Sequence, residues 1–355
     1  MNVLLLSRYT ALGASSRYRS YQYLPYLRTG GIQVTVAPLL TDRYLERLYR
    51  GERTSFLDVA GSYARRVGDM LKSSRYDLIW IEYEALPWLP FLVESLFLSK
   101  QIPYVVDYDD AVFHYYDIHS SAFVRAVLGH KIDRVMRNSA LVIAGNSYLG
   151  DRARAAGARN VEILPSVVDL EKFRPGEEHP RSVFTVGWIG SPSTEHYLSL
   201  LRDPLATLCR DGRTRVVAIG ARRVALAGVP FEIKPWTETD ESPVLSTFNV
   251  GVMPLIDSPW ERGKCGHKLI KYMACALPVV ASPVGVNSAI VQHGVNGFLA
   301  SSPDEWVSAL SQLRDNPSLA RAMGREGRKT VERDYCTAVT APKLAALLMQ
   351  AAGHR

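Results

Sequence analysis

Short, nearly continuous apolar runs alternate with longer amphipathic stretches along the whole chain, and this alternation limits the folds it can adopt. In the first half the runs predict strands at 3–6, 33–37, 78–81, 104–106, 141–144 and 161–164. Strands without polar alternation are typical of a parallel sheet that is covered on both faces. The intervening stretches predict helices at 18–28, 55–72, 88–99, 122–137 and 147–156. This order indicates a doubly wound sheet.

The alternation restarts in the second half, with strands predicted at 183–188, 215–219, 250–253, 279–281 and 297–299. Residues 175–180 are polar and turn-forming, which predicts a linker between the two series. We therefore expect an α/β chain of two Rossmann-like doubly wound domains, 1–174 and 175–336, facing a central cleft where ligands bind. Residues 337–355 predict an amphipathic C-terminal helix. One arrangement is that this helix packs back on the N-terminal domain.

Composition narrows the function classes. The chain has 355 residues, of which 47% are hydrophobic and 22% charged, as in globular proteins. Its net charge of +7 favours anionic partners, with nucleotide diphosphates and anionic lipid surfaces ranked ahead of nucleic acid because the arginines are dispersed. The N-terminus lacks the pattern of a signal peptide, and the four cysteines form no CxxC pair. We expect a cytoplasmic protein without a structural metal site.

A basic, glycine-containing loop opens a short helix that ends just before Leu277, and this pattern predicts a diphosphate site. Glycine lets backbone amides approach a ligand, and lysines near a helix N-terminus supply positive charge. The alternative is a solvated basic face of a surface helix. The candidate donor-binding residues of this loop are Gly263, Lys264, Cys265, Gly266, His267 and Lys268.

Four further segments complete a pattern with this loop: 163–169, 187–191, the pair Pro235 and Trp236, and 249–255. In this combination and order the segments resemble the retaining glycosyltransferases of family 4 (glycosyl transferases group 1), which have the GT-B fold. The resemblance implies transfer of a sugar from a nucleotide diphosphate held by the second domain to an acceptor held by the first. It also implies retention of anomeric configuration, with no metal and no cofactor beyond the nucleotide sugar.

The resemblance assigns further donor-binding residues in the second domain. Gly187, Gly190 and Ser191 are expected to form the first strand-to-helix turn, where the backbone could approach a phosphate or the sugar. An ordinary tight turn is the alternative. Trp236 is expected either to stack on the base or to pack in the core.

The chain departs from the family at two glutamate positions. The family usually has a glutamate, seven residues and a second glutamate. These positions are occupied here by Gly263 and Lys271, and Lys271 is therefore a further candidate donor-binding residue. The second glutamate usually holds the ribose hydroxyls, and a lysine cannot accept those hydrogen bonds. Glu261 is a candidate catalytic residue that could take over the first role, and an exposed loop glutamate is the alternative.

The first domain carries the candidate catalytic carboxylates. Asp109 and Asp110 follow a strand, and Asp109 stands near the position where many family members have histidine. A carboxylate there could orient the sugar hydroxyls or accept the proton of the acceptor. One of the pair is expected to cap the following segment. His114 is a weaker acid/base candidate, since a lone histidine is more often structural.

The loop after the first strand supplies two further candidates for donor binding. Gly13 is expected to let the loop lie close to the diphosphate across the cleft. Arg17 is expected to reach an anionic group or to form a surface ion pair. Ser15 or Ser16 is predicted to cap the following helix.

The expected partners are a nucleotide-diphosphate sugar and a glycan or lipid-linked acceptor, in the synthesis of a cell-envelope or secreted polysaccharide. Residues 17–23 and 44–53 are rich in tyrosine and arginine, so a patch that meets an anionic membrane is one interpretation. The preferred interpretation is that these residues form amphipathic helices with ordinary basic faces. Two other functions stay open: an inactive sugar-nucleotide-binding partner subunit, because the glutamates are absent, and a sugar-nucleotide epimerase, which the motif order disfavours.

Overall fold

The computed structural model describes residues 1–98, 101–176, 183–223, 226 and 228–353. They form two compact units. The first comprises Met1–Ser166, Gly263–Cys265 and the C-terminal segment from Thr337, and the second comprises Val167–Arg262 and Gly266–Cys336. Residues 177–180 of the predicted linker, and Ser99 at the end of a predicted helix, lie outside the described residues.

The described residues of the first unit contain a six-stranded parallel sheet of order β2-β1-β3-β4-β5-β6. Its strands are β1 (Asn2–Leu6), β2 (Gln33–Val36), β3 (Leu78–Glu82), β4 (Tyr104–Tyr108), β5 (Leu141–Ala144) and β6 (Val161–Ile163). Every residue of β3, β4 and β5 is buried, as expected for central strands covered on both faces. The strands predicted for this half are confirmed, with small differences at their ends.

The helices described in the first half depart from prediction in three places. They are α1 (Ala14–Arg19), α2 (Leu24–Thr29), α3 (Asp42–Arg50), α4 (Phe56–Leu71), α5 (Phe91–Phe97), α6 (His114–Asp117), α7 (Ala122–Leu128), α8 (Lys131–Asn138) and α9 (Ser147–Ala155). The helix predicted over 18–28 is interrupted at residues 20–23 by a turn and a 3₁₀ helix. The single helix predicted over 122–137 is wrong, because the chain breaks at Gly129 and His130 into α7 and α8. The helix predicted from residue 88 begins only at Phe91, since Trp88 has a left-handed φ of 62°.

The described residues of the second unit contain another six-stranded parallel sheet, of order β12-β11-β10-β7-β8-β9. Its strands are β7 (Phe184–Ile189), β8 (Thr214–Ile219), β9 (Phe231–Lys234), β10 (Val250–Met253), β11 (Val279–Ala281) and β12 (Gly297–Leu299). The sequence did not predict β9. This strand lies at the sheet edge, and its residues are half-buried or exposed, so it lacks the continuous apolar run of the others.

The remaining helices are α10 (Arg202–Cys209), α11 (Glu241–Leu245), α12 (Pro259–Arg262), α13 (His267–Ala274), α14 (Asn287–Ile290), α15 (Pro303–Asp315), α16 (Pro317–Asp334) and α17 (Thr337–Gly353). The helix α15 begins with a capping box in which Ser302 and Glu305 bind each other's backbone N–H groups. In the core of this unit Trp188 on β7 packs with Leu205 of α10 and Leu310 of α15. The central strand β7 is therefore held by close packing, and the turn that follows it has a fixed base.

The C-terminal helix α17 belongs to the first unit. Leu344 and Leu348 are buried, and the Tyr23 hydroxyl lies 2.9 Å from Thr340 Oγ1. The helix packs on α2, β3 and β4. Within the described part of the chain, no helix combines the length and the apolar character that a membrane span requires.

Candidate functional site

A tight turn follows β7 in the second unit, at the carboxyl end of a central strand. The Ser191 N–H donates to Thr194 Oγ1 (3.2 Å), and the Thr194 N–H donates to the Ser191 carbonyl (2.9 Å). The Gly190 N–H donates to the carbonyl of Ile219 on β8 (3.0 Å), and a Cβ at Gly190 would lie 2.2 Å from the Trp188 ring. The backbone of this turn is therefore fixed at the sheet edge where ligands of doubly wound folds bind.

Lys268 lies against this turn. Its Nζ donates to Thr194 Oγ1 (3.4 Å) and stands 4.3 Å from the centre of the Trp188 ring. The side chain belongs to the first turn of α13, whose N-cap Gly266 has a φ of 65°. The positive φ favours glycine there, and a Cβ would also lie 2.4 Å from the end of the Ile290 side chain, which would have to shift. An ammonium and a helix N-terminus thus lie beside the turn, which is a favourable place for an anion.

Three other predicted residues of the second unit lie outside this turn: Gly187, Trp236 and His267. Gly187 lies inside β7, so the prediction that it forms part of the turn is wrong. A Cβ at this position would lie 1.8 Å from the Phe248 ring, which shows that close packing requires the glycine. Trp236 follows β9 and is half-buried; its Cβ lies close to Gly220, which has a φ of 78° after β8. His267 is half-buried at the first position of α13.

Lys271 is held by a buried ion pair. Its Nζ donates to Glu241 Oε1, and the two side chains are 8% and 2% exposed. The ammonium also stands 5.8 Å from the centre of the Phe173 ring. Lys271 was predicted to contact the donor, but the structure directs its charge to Glu241, one turn of α13 away from Lys268.

Glu261 is buried rather than being an exposed loop residue. One carboxylate oxygen accepts a hydrogen bond from the Tyr197 hydroxyl, and the other accepts one from Ser258 Oγ. Tyr197 lies just after the Gly190–Thr194 turn, on a short 3₁₀ helix. The carboxylate of Glu261 therefore holds the segment that follows this turn.

In the first unit, Asp109 and Asp110 follow β4 and are half-buried. The Tyr83 hydroxyl donates to Asp109 Oδ1. Burial raises the pKa of Tyr83 well above its usual value, so the phenol stays a neutral donor. Tyr83 has a φ of 64°, an uncommon conformation for a bulky residue that often marks functional sites. Asp110 Oδ1 lies 3.5 Å from Lys264 Nζ.

Glu82 at the end of β3 organises the loop after β1. Its carboxylate accepts hydrogen bonds from the Arg8 N–H (2.8 Å), Ser15 Oγ (2.8 Å) and Ser16 Oγ (2.5 Å). Burial raises the pKa of Glu82 to about 7, although these hydrogen bonds lower it. The prediction that Ser15 or Ser16 caps the helix is wrong, because Gly13 is the N-cap of α1 and both hydroxyls bind Glu82.

Gly13 and Arg17 make contacts inside this loop that stabilise its conformation. A Cβ at Gly13 would lie 2.4 Å from Tyr9 Cβ, so the close approach that needs glycine is to Tyr9. Arg17 Nη1 donates to the carbonyls of Ala11 (2.9 Å) and Leu12 (3.4 Å). Arg17 is also buried, so the alternative of a surface ion pair is wrong.

The basic loop predicted as one cradle is divided by the structure. Its first part, Gly263–Cys265, belongs to the first unit, where the Asn146 side-chain amide donates to the carbonyls of Gly263 (2.9 Å) and Lys264 (3.0 Å). A Cβ at Gly263 would lie 2.4 Å from Ala111 Cβ. Burial raises the pKa of the Cys265 thiol well above its usual value, so it stays protonated. Lys264 and Cys265 are thus fixed in the first unit, whereas Gly266, His267 and Lys268 lie in the second.

Residues 107–109 have the Asp-x-Asp form that some metal–diphosphate sites use, but their two carboxylates do not form a shared site. Asp107 is buried and accepts from Arg19 Nε (2.8 Å), and burial raises its pKa to about 6 against the opposing effect of Arg19. Among the described residues, no three His, Cys, Asp or Glu side chains gather as a metal site would need. His114 is bound on both ring nitrogens, by Asp117 (2.7 Å) and the Tyr148 hydroxyl (2.9 Å), which fits a structural role.

Sequence reasoning missed four residues that shape these sites: Tyr83, Glu82, Thr194 and Glu241. Glu82 and Tyr83 stand at the end of a predicted strand, and this position was an available signal because carboxyl ends of parallel strands carry ligand sites. Thr194 and Glu241 carried no such signal, since their partners Lys268 and Lys271 are distant in sequence.

Comparison with known proteins decides the family. Residues 5–166 match the family described as "Glycosyl transferase 4-like domain", and residues 181–316 match "Glycosyl transferases group 1". The chain belongs to the group 1 glycosyltransferases. The predicted family and enzyme class are confirmed.

Two solved structures share the fold of this group 1 glycosyltransferase. Sucrose-phosphate synthase from Thermosynechococcus elongatus is 16% identical, with a TM-score of 0.75 over 99% of this chain and 98% of that one. HepE of Anabaena in complex with UDP and glucose is 17% identical, with a TM-score of 0.72 over 99% of this chain and 100% of that one. The two parallel sheets and these likenesses confirm the predicted α/β fold of GT-B type.

A curated relative, the D-inositol 3-phosphate glycosyltransferase of Segniliparus rotundus, is 26% identical over 49% of this chain. The match spans 43% of that relative, which is less than half of its length.

Proposed function

We propose that this protein transfers a sugar from a nucleotide diphosphate donor to a glycan or lipid-linked acceptor, and that the second unit binds the donor. The observation that carries the proposal is Lys268, whose ammonium lies 3.4 Å from Thr194 Oγ1 beside the turn after β7. Because HepE has been solved with UDP and glucose, UDP-glucose is the first donor to test.

In this proposal Lys268 neutralises the diphosphate as it leaves the sugar. Preorganised positive charge in that position stabilises the transition state more than the ground state, because the leaving group gains charge. The backbone of Gly190 and Ser191 then contacts the phosphate or the sugar, and Trp236 lies near the base. Lys271 stays bound to Glu241 and acts on the fold alone.

The first unit binds the acceptor. Asp109 is the favoured carboxylate for orienting a hydroxyl or accepting its proton, because Tyr83 fixes its position by a hydrogen bond. Asp110 is paired with Lys264 and is the weaker candidate. Glu261 acts as a positioning residue, since both its oxygens bind neighbouring hydroxyls.

We further propose retention of anomeric configuration, turnover without a divalent metal, and a cytoplasmic role in cell-envelope or secreted polysaccharide synthesis. The family resemblance supports these features. The buried Asp107–Arg19 pair is consistent with a structural role for the acidic triplet in place of metal binding.

The test is incubation of the full chain with a panel of nucleotide sugars in EDTA, with simple sugars, glycans and lipid phosphates as acceptors. We expect one donor to be consumed only when acceptor is present, and NMR of the product should show the donor's anomeric configuration. Failure of every nucleotide sugar and nucleoside diphosphate to bind at millimolar concentration would overturn the proposal. Turnover that requires added Mg²⁺ or Mn²⁺ would overturn its metal-independent part.

A second candidate is a nucleotide-sugar-binding subunit without catalysis. It is favoured by one observation: the two glutamate positions are occupied by Gly263 and Lys271, and Lys271 is bound to Glu241. Donor binding of normal affinity with no transfer to any acceptor of the panel would select this candidate.

A further inference from the structure

The loop between β3 and α5 holds two bulky residues in a conformation that such residues rarely adopt. Tyr83 has a φ of 64° and Trp88 a φ of 62°, in the left-handed region that favours glycine. Backbone of this kind is strained, and it persists only where the surrounding contacts hold it, often at ligand-binding sites. The loop also follows the carboxyl end of a central strand, where doubly wound folds bind ligands. Both observations point to a binding role for this loop.

Buried charges hold the first half of this loop. The fully buried Lys131 ammonium lies 2.5 Å from Glu84 Oε2 and 3.3 Å from Glu94 Oε2. Glu94 Oε1 also accepts a hydrogen bond from the Ala85 N–H (2.6 Å). Glu84 Oε1 lies 3.4 Å from Arg8 Nη1, so that two carboxylates are balanced by two cations and each buried charge has a partner. This arrangement fixes the backbone of residues 84 and 85.

Trp88 is the exposed end of this loop, and it is held on both its backbone and its ring. It is 49% exposed. Its N–H donates to the Tyr116 hydroxyl (3.0 Å), and the Tyr63 hydroxyl donates to the carbonyl of the preceding Pro87 (2.8 Å). The indole lies 5.2 Å from the Tyr116 ring and 5.9 Å from the His119 ring, with the planes 77° and 79° apart. Edge contacts of this kind orient an aromatic ring and leave part of it uncovered.

His119 supplies a polar group beside the indole. Its Nδ1 accepts a hydrogen bond from the Ser121 N–H (3.0 Å), so the proton of the ring is on Nε2. Within the part of the chain that the structure describes, no hydrogen bond occupies this Nε2, which makes it a donor for a ligand. An aromatic surface with a donor at its margin suits a sugar ring, because a pyranose has apolar C–H faces and hydroxyl groups around its rim.

We propose that Trp88 and His119 form a subsite that binds a sugar ring of the acceptor. The indole stacks on the C–H face of the ring, and His119 Nε2 donates to one of its hydroxyls. Because the indole is already oriented, little conformational freedom is lost on binding. This inference rests on the proposed function, since Tyr83 in the same loop holds Asp109 by a hydrogen bond. The acceptor is then a glycan, with or without a lipid attached, because a lipid phosphate alone lacks the ring that the subsite binds.

Other aromatic side chains of the first unit lack this setting, and one of them provides a control. Tyr18 and Tyr23 are buried and Tyr21 is half-buried, so the stretch 17–23 of the Tyr/Arg patch presents no exposed ring. Phe56 is 82% exposed at the first position of α4, outside the loop that carries Trp88. Removing the Phe56 ring therefore deletes an exposed aromatic group without touching the proposed subsite.

The first test is binding of sugars to the full chain without a donor, measured by saturation-transfer difference NMR. The probes are methyl glycosides and disaccharides of glucose, galactose, mannose and N-acetylglucosamine. We expect at least one probe to bind with millimolar affinity, with the strongest saturation on the C–H groups of one ring face. Trp88→Ala should weaken this binding at least about tenfold, as expected for a truncated aromatic anchor. Trp88→Phe should recover part of the loss, and Phe56→Ala should bind as the unchanged protein does.

The second test is the acceptor KM in the transferase assay, with a glycan as acceptor. Trp88→Ala should raise this KM at least about tenfold and change kcat by less than about threefold, because stacking holds the acceptor equally in the ground state and the transition state. His119→Ala should raise the KM by a smaller factor, on the order of threefold to tenfold, since it removes one hydrogen bond.

Three outcomes would overturn the proposal. One is that no probe binds to the unchanged protein at millimolar concentration. Another is that Trp88→Ala leaves both probe binding and the acceptor KM unchanged. The third is an equal loss in the Phe56→Ala control. UDP affinity, measured by calorimetry on each variant, separates this claim from the proposed function: a normal UDP affinity shows that the variant is folded and leaves donor binding intact, whereas an unchanged protein that binds no nucleotide sugar contradicts the proposed function itself.

Discussion

Lys268 and Lys271 lie one turn apart on α13, and replacing each by methionine should have opposite consequences. Lys268 contacts Thr194 through a long, 3.4 Å hydrogen bond, stands 4.3 Å from the centre of the Trp188 ring and remains half-exposed, so only about 1 kcal/mol of folding energy depends on it. A charge-assisted contact with a diphosphate contributes about 1.5–3 kcal/mol. Lys268→Met should therefore weaken binding of uridine diphosphate by roughly 10- to 150-fold and lower the free energy of unfolding by only about 1 kcal/mol.

Lys271→Met should do the reverse. It leaves the Glu241 carboxylate, which is 2% exposed, without its ammonium partner. Breaking a buried ion pair from one side costs about 3–5 kcal/mol, because the remaining charge is buried without compensation. The double variant Lys271→Met/Glu241→Gln should recover part of this loss, since neither charge then remains. Affinity for uridine diphosphate should stay within about twofold in both.

Calorimetric titration with uridine diphosphate and urea denaturation, applied to all three variants, measure the two effects separately. The reasoning is refuted if Lys271→Met lowers the affinity and Lys268→Met does not. It is also refuted if Lys268→Met is the variant that destabilises the protein, because that would make its contact with Thr194 structural.

Three further predictions concern the first unit and the packing of β7. Burial raises the pKa of Glu82 to about 7 from its ordinary 4.5, so the folded chain holds an extra proton between these values. The free energy of unfolding should therefore fall by on the order of 3 kcal/mol as pH rises from about 4.5 to 7. Glu82→Gln should remove this part of the pH dependence, as measured by urea denaturation at each pH. If the variant kept the same dependence of stability on pH, the argument about Glu82 would be contradicted. Tyr83→Phe removes the donor to Asp109 and should lower kcat by roughly 10- to 100-fold with the donor KM unchanged; full activity would exclude a positioning role. Gly187→Ala places a Cβ 1.8 Å from a phenylalanine ring and should destabilise by about 1–3 kcal/mol, whereas Gly61→Ala, with no atom within 4 Å, should not; equal effects in urea denaturation would refute the packing argument.

The fold could be predicted where burial leaves a direct trace in the sequence. The strands β3, β4 and β5 are buried along their whole length, and each contains an apolar run of at least three residues, with Glu82 and Asp107 as the charged exceptions. The edge strand β9 could not be found in this way, because its residues are half-buried or exposed and it lacks a continuous apolar run. The break between α7 and α8 was also hidden, since apolar periodicity continues across it.

The site could be predicted only as a set of residue types. The lysines at 264, 268 and 271 look equivalent in the sequence, and what distinguishes them is their partners: Asp110, Thr194 and Glu241 respectively. Each partner is far away along the chain, so only the folded structure brings it into contact. The same limit explains why Gly187 was assigned to a turn, when its neighbour in space is Phe248.

The crystal structure of the protein with uridine diphosphate is the most direct test of the central claim that the second unit binds the donor through Lys268. The account predicts a phosphate oxygen about 2.7–2.9 Å from Lys268 Nζ, beside the Gly190–Thr194 turn, with Lys271 still bound to Glu241. A nucleotide bound away from this turn, or a diphosphate held by Lys264 or Lys271 in place of Lys268, would contradict the account.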